Sequence, residues 1–175
     1  SSSISPCQRG AMDAHAGGKL VFLLIDTRAT SAMDSRGRMA LATRFRDEAV
    51  QRAGNLLVAT IDPNETCLLL YSLGDWEEVQ RRLEALSNIG TSARLLQRLL
   101  IGHATDVEMD SQGRVLIPAM LREYGALEKR IVLMGQTNKL EIWDEQIWRT
   151  RREEWLTVTR ESTFGNLSDL DGLSV

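Results

Sequence analysis

The pentapeptide Asp34-Ser35-Arg36-Gly37-Arg38 returns as Asp110-Ser111-Gln112-Gly113-Arg114, 76 residues later at every position (110 − 34 = 114 − 38 = 76). The flanks repeat with it, since Met33 matches Met109 and Arg46 matches Arg122. Self-similarity at a fixed offset means two copies of one supersecondary unit. A half-unit of about 45 residues is too small to bury a core alone. The two copies are therefore expected to share one β-structure, each covering the other's sheet edges.

Residue types within the repeat specify its local form. Aspartate suits the first position of a type I turn, where its carboxylate accepts a backbone N–H two residues on, and glycine suits the fourth because it tolerates positive φ. Asp34 to Gly37 thus predicts a turn between short strands at 29–33 and 39–41, a strand–turn–strand hairpin. Phe45, Ala49 and Ala53 then fall four apart, predicting a helix over 43–53 stopped by Gly54. Apolar runs at 56–61 and 66–71 flank a turn at 62–65, a second hairpin.

Asp75 opens a helix, with Glu78 three residues later as in a capping box, an apolar stripe of Trp76, Val79, Leu83 and Leu86, and Gly90 at its end. A connecting helix over 92–101 carries Leu95, Leu96, Leu99 and Leu100 on one face and is closed by Gly102. The order then repeats. Strands at 104–109 and 115–117 flank the second turn, and Pro118 takes the first position of a short helix ending at Gly125. A hairpin of 130–134 and 139–143 follows, then a helix opened by Asp144 that runs through Trp148 and Trp155. Tyr71 and Trp143 differ by 72 rather than 76, so the second copy is expected to have lost four residues in its hairpin turn. The organisation predicted is an irregular extension over 1–25, a first unit over 28–75, connecting helices over 76–103, a second unit over 104–147, and a C-terminal helix and tail over 148–175.

Composition excludes several function classes. Apolar content of 43% with 26% charged residues is that of a soluble globular chain. The longest apolar runs, such as 20–25, fall far short of the about 20 residues that span a bilayer, and no export signal stands at the start. Neither a membrane nor secretion is predicted. Cys7 and Cys67 lack a CxxC spacing or a nearby histidine and read as free thiols. His15 and His103 stand too far from other ligand types for a metal, and no catalytic set can be argued from spacing. No catalytic residue, metal, cofactor or small-molecule ligand is therefore assigned. The four tryptophans (Trp76, Trp143, Trp148, Trp155) are expected in the core and interfaces. A net charge of −3 does not by itself suggest a nucleic-acid binder. Residues 28–52, however, carry six arginines (28, 36, 38, 44, 46 and 52) against Asp34, Asp47 and Glu48, a local excess of three positive charges. Acidity elsewhere does not cancel such a patch at short range.

The doubled D-x-x-G-R turns are joined by Leu96-Gln97-Arg98-Leu99-Leu100-Ile101-Gly102-His103-Ala104, Cys67-Leu68-Leu69-Leu70-Tyr71, Val132-Leu133-Met134-Gly135-Gln136 and Glu141-Ile142-Trp143-Asp144. With these, residues 28–170 resemble the MraZ family, two-copy members of the SpoVT-AbrB superfamily. The resemblance implies an α+β fold of two tandem swapped-hairpin units forming one pseudo-twofold β-barrel with flanking helices. It implies a transcription regulator that binds direct repeats of double-stranded DNA upstream of its own division and cell-wall gene cluster. Ring-shaped homo-oligomers and a cytoplasmic, nucleoid-associated location are implied with it. The family has proline where this chain has Ala42, while Pro118 is kept; the change is expected to soften a helix start and leave the fold intact.

Arg38 and Arg114 are the leading candidates for contacting DNA. Each follows a turn glycine, and an arginine fork can bond guanine O6 and N7 or grip phosphate. Asp34 and Asp110 stand across the turn, where each either only closes the turn and pairs with its arginine, or orients that arginine for DNA. Arg36, Arg44, Arg46 and Arg122 are candidates for phosphate contacts, which position without specifying. Gln112 replaces Arg36 in the second copy, so the two turns are expected to bind unequally. The competing class is an oligomeric structural or antidote-like partner-binding protein on the same fold.

Overall fold

A computed structural model describes residues 28–86, 90–136 and 138–161 of the chain. The extension predicted over 1–25 and the tail beyond 161 lie outside the described residues. The elements of the first copy are β1 (Arg28–Ala32), β2 (Arg38–Ala40), α1 (Thr43–Ala53), β3 (Leu56–Ile61), β4 (Leu68–Ser72) and α2 (Leu73–Ala85). After α3 (Thr91–Leu100) come β5 (Thr105–Glu108), β6 (Arg114–Leu116), α4 (Ala119–Tyr124), β7 (Arg130–Gln136), β8 (Lys139–Asp144) and α5 (Glu145–Glu161). The architecture is α+β and every strand pairing is antiparallel.

Strands join across the copies. A six-stranded sheet runs β1-β7-β8-β4-β3-β5, and a separate ribbon pairs β2 with β6. The edge strand of each copy therefore lies on the other copy's hairpin. In the middle of the sheet Leu69 faces Glu141, and in the ribbon Met39 faces Val115. These partners are repeat equivalents, 72 and 76 residues apart (141 − 69 and 115 − 39). A residue paired with its own equivalent lies on the symmetry axis, so the pseudo-twofold passes through both pairs.

The predicted strand–turn–strand hairpin survives only at its neck. Met33 bridges Met39 and Met109 bridges Val115, but beyond those single bridges the arms part. β1 runs on against β7 for five registered pairs, more backbone partners than three-residue β2 could offer. The four-residue loss is also redistributed. Ala29 pairs with Leu133 while its equivalent Thr105 pairs with Ala59, an offset of 74 at β3 and β7 (133 − 59). Two residues are thus lost before β7 and two in the hairpin turn.

Local boundaries show which group caps what. Ala42 and Pro118 hold the same cap position before α1 and α4, with φ of −56° in both and ψ of 136° and 146°. The alanine adopts without a ring the conformation that proline pre-sets, and Pro118 is a cap rather than the first helical residue. Gly54 closes α1 at φ 67°, and Gly125 closes α4. α2 starts earlier than Asp75. The Ser72 hydroxyl accepts the Asp75 backbone N–H at 3.2 Å and donates to the Asp75 carboxylate at 2.6 Å, so Ser72 is the cap. Glu78 pairs instead with Arg81 and Arg82, one turn on. α2 ends at Ala85, and Gly90 caps the start of α3 rather than the end of α2. Asp144 caps α5 as expected, accepting the N–H groups of Gln146 and Ile147.

Both faces of the sheet are covered, which is why its central strands read as unbroken apolar runs. Leu57, Ala59, Ile61, Leu68, Leu70, Leu133 and Ile142 pack toward the ribbon, with Met39, Val115, Phe45 and Leu121. Val58, Leu69, Tyr71 and Val132 pack on the other side, with Trp76, Leu83, Leu100, Trp143 and Trp148. Trp76, Trp143 and Trp148 are buried in the core, and Trp155 packs partly buried against it. On α3, Leu100 is buried and Leu96 and Leu99 are partly so, but Leu95 faces solvent. The buried Thr60 hydroxyl donates to the Leu100 carbonyl at 2.7 Å and ties α3 to β3, while His103 Nδ1, in the turn before β5, lies 2.8 Å from the Leu99 carbonyl. No helix among the described residues is long and apolar enough to cross a membrane.

Candidate nucleic-acid interface

Each repeated turn is closed by its aspartate. Asp34 Oδ1 accepts the N–H groups of Arg36 and Arg38, each at 2.9 Å, and Oδ2 accepts Arg38 Nε at 2.8 Å. Asp110 does the same with Gln112, Arg114 and Arg114 Nε, at 2.9, 2.9 and 3.0 Å. Backbone bonds complete each turn: Gly37 N–H donates to Asp34 O, Asp34 N–H to Arg38 O, and their equivalents match. Gly37 and Gly113 hold φ of 85° and 75°, the left-handed region that the sequence assigned to glycine. The Arg38 backbone N–H, with the other donors, holds the Asp34 carboxyl down to about 2. The Arg114 N–H lowers Asp110 in the same way. The carboxylates engage the arginines through Nε, so the pair does not consume the terminal Nη nitrogens.

The turns are built into one surface. β2 and β6 pair as Arg38↔Leu116, Met39↔Val115 and Ala40↔Arg114. Met39 and Val115 are buried, so strand alternation turns the other four side chains to the outer face. Arg38 and Arg114 stand diagonally on that face, their Cα atoms about 7–8 Å apart. The Gly37 carbonyl accepts Ile117 N–H at 2.9 Å and the Gly113 carbonyl accepts Leu41 N–H at 3.0 Å, fastening each turn to the other copy's strand.

Arg46 and Arg122 have a role that spacing alone did not reveal. Arg122 lies across Gly37, where an added Cβ would sit 2.6 Å from its Nε; Arg46 lies across Gly113 in the same manner. Each arginine of one copy covers the turn of the other, and Arg122 Nε also donates to the Ile117 carbonyl at 3.1 Å. The signal available in the sequence was their recurrence eight residues after each aspartate-led turn's Arg38 or Arg114. The fold therefore brings Arg38, Arg114, Arg46 and Arg122 together at the ribbon. Arg36 is exposed within the first turn and Arg44 is exposed in the first turn of α1. The side chains of Arg28 and Arg52, counted in the basic patch, lie outside the described residues. Among the described residues no group of three or more His, Cys, Asp or Glu is placed to hold a metal ion, and Cys67 is a buried free thiol.

A two-stranded ribbon that presents paired arginines on one face, backed by a sheet with an internal twofold, defines a twofold-repeat α+β protein with a basic ribbon surface. The chain matches the family model described as "MraZ protein, putative antitoxin-like" over residues 27–99 and again over 100–163, once per copy. It belongs to the MraZ family. It is 49% identical over 143 residues to a protein of Halorhodospira halophila, covering 82% of this chain and 94% of that one. It is 45% identical to a protein of Hydrogenovibrio crunogenus (82% and 93% covered) and 47% to one of Legionella pneumophila strain Corby (76% and 88%). All three carry the name "Transcriptional regulator MraZ".

Proposed function

We propose that this protein is a sequence-specific DNA-binding transcriptional regulator rather than an enzyme. It acts as a ring-shaped homo-oligomer on direct repeats upstream of its own division and cell-wall gene cluster, repressing its own promoter, in the cytoplasm at the nucleoid. Units at 28–75 and 104–147, of the swapped-hairpin barrel type, supply one reading ribbon per protomer. The observation that carries this reading is the arginine pair on the outer face of the β2–β6 ribbon, each Nε held by an aspartate. A two-stranded ribbon fits a major groove about 12 Å wide, and arginine is the commonest specific partner of guanine there. Holding Nε fixes the guanidinium before DNA arrives, which lowers the ordering cost of binding. Asp34 and Asp110 act as orienting residues, and Arg36, Arg44, Arg46 and Arg122 contribute phosphate contacts. One ribbon is a small contact area, so several protomers in a closed head-to-tail ring supply affinity by engaging successive repeats together.

The test is a titration of the DNA upstream of this gene, and of a scrambled duplex, at two salt concentrations. Arg38→Ala and Arg114→Ala should each weaken upstream DNA about 5- to 150-fold, the worth of a bidentate base contact. Unchanged affinity in both variants would remove the readout. Equal affinity for scrambled DNA with a steep salt slope would leave nonspecific binding alone. The family's antitoxin-like description supports one alternative, an antidote-like oligomeric partner binder without DNA readout. That reading requires no preference for upstream DNA in the intact protein.

A further inference from the structure

The two halves of the ribbon are equivalent in backbone and unequal in side chains. Leu116 stands directly across from Arg38, on the outer face, and is 53% exposed. Its repeat equivalent, across from Arg114, is Ala40. Leu116 is thus an exposed branched apolar side chain between two arginines, while Val115 supplies that strand's core contact. The difference between the copies extends outward. Arg36 is matched by Gln112, and Arg44 by Met120, itself 56% exposed. Antiparallel pairing sets Arg36 and Met120 at the Arg38–Leu116 end and Gln112 and Arg44 at the Arg114–Ala40 end, so the two ends of the ribbon present different surfaces.

We infer that Leu116 is a specificity-determining residue that contacts the 5-methyl group of a thymine beside the base read by Arg38, and that the Leu116/Ala40 difference gives the ribbon a direction on DNA. The inference rests on the DNA-reading function proposed above. In the major groove the thymine methyl is the one apolar group a base edge presents, and an aliphatic side chain is its natural partner. A cross-strand neighbour lies about 4.5–5.5 Å away at Cβ, which places Leu116 and Arg38 over adjacent base positions. A ribbon with true twofold symmetry would read a palindrome, whereas unequal halves read an asymmetric sequence. Asymmetric units arranged head to tail are direct repeats, so the polarity and the predicted repeat type have one origin.

The experiment uses duplex DNA from immediately upstream of the gene, with each thymine replaced singly by deoxyuridine, which lacks only the methyl. The intact protein should lose about three- to fivefold in affinity at one thymine per repeat unit, the effect of one buried methyl. Leu116→Ala should bind native DNA more weakly by a similar factor and be indifferent to that replacement. The exchange variant Ala40→Leu/Leu116→Ala should also lose sensitivity at that thymine. Both positions are exposed, so melting temperatures should match the parent's. Equal uracil sensitivity in the parent and Leu116→Ala overturns the inference, as does insensitivity of the parent at every thymine while upstream DNA is still preferred. A change in oligomer size by sedimentation, with uracil discrimination intact, would assign Leu116 to a protein contact and overturns it too. Failure of the parent to prefer upstream over scrambled DNA overturns the DNA-reading function itself and this inference with it.

Discussion

Replacing Gly37 with alanine tests the cross-copy packing of the turns. At φ 85° an alanine pays the left-handed penalty of about 1–2 kcal/mol. Its Cβ would also sit 2.6 Å from Arg122 Nε and 2.7 Å from Cζ, so the flexible arginine must move away. Moving it breaks the 3.1 Å bond from Arg122 Nε to the Ile117 carbonyl, a further loss of about 0.5–1.5 kcal/mol. Alanine's smaller unfolded-state entropy offsets about 0.4–1 kcal/mol. The net destabilisation is about 0.5–3 kcal/mol, which in a chain of this size lowers Tm by about 1–12 °C. The assay is thermal melting followed by circular dichroism at one fixed protomer concentration, because the proposed self-association would make Tm depend on concentration. Repeating it in an Arg122→Ala background separates the two terms. There the penalty should fall by about 1 kcal/mol, leaving only the backbone strain. A penalty of equal size in both backgrounds refutes the idea that Arg122 is packed on the turn of the other copy.

Other consequences follow from the same contacts. Thr60→Val keeps the shape of a fully buried side chain but removes the 2.7 Å bond to the Leu100 carbonyl, and should cost about 1–2 kcal/mol in thermal melts; an unchanged Tm would mean α3 is not anchored there. Asp34 is depressed from 3.8 to about 2, so its contribution to stability is complete above pH 3.8 and is lost as pH falls toward 2. Carbon-detected NMR should find its carboxylate titrating near 2, and Asp34→Asn should flatten the acid limb of the stability curve over that window; a midpoint near 3.8 would deny the turn bonds. Between the two arginines proposed to contact DNA, Arg38→Ala should reduce affinity and salt slope more than Arg114→Ala, because Arg36 stands beside it where the second turn has Gln112. Equal losses would remove the asymmetry between turns.

Much of the chain was legible as local pattern. The bounds of α1, the β3–β4 hairpin, the capping of α5 by Asp144 and the positive-φ glycines of both turns depend on neighbours within a few residues, and residue type decides them. Misplaced boundaries had local causes as well. Ser72, three residues before Asp75, supplies a hydroxyl that caps α2 earlier, and Gly90 serves the helix that follows it. Leu95 fell outside the buried face because four leucines at 95, 96, 99 and 100 span more of a helix than one contact surface covers.

The sequence by itself determined that there are two copies, what each turn looks like, and that Arg38 and Arg114 follow its glycine. Only the tertiary structure decided who pairs with whom. β1 and β2 part company after one bridge because strands of the other copy satisfy more of their backbone groups, and no local propensity encodes that choice. The same exchange lays Arg122 over Gly37 and Arg46 over Gly113, across 85 and 67 residues of chain (122 − 37 and 113 − 46). It also sets Leu116 beside Arg38 on one outer face. The repeat names the parts of this ribbon, and long-range pairing alone decides that each copy completes the other's turn.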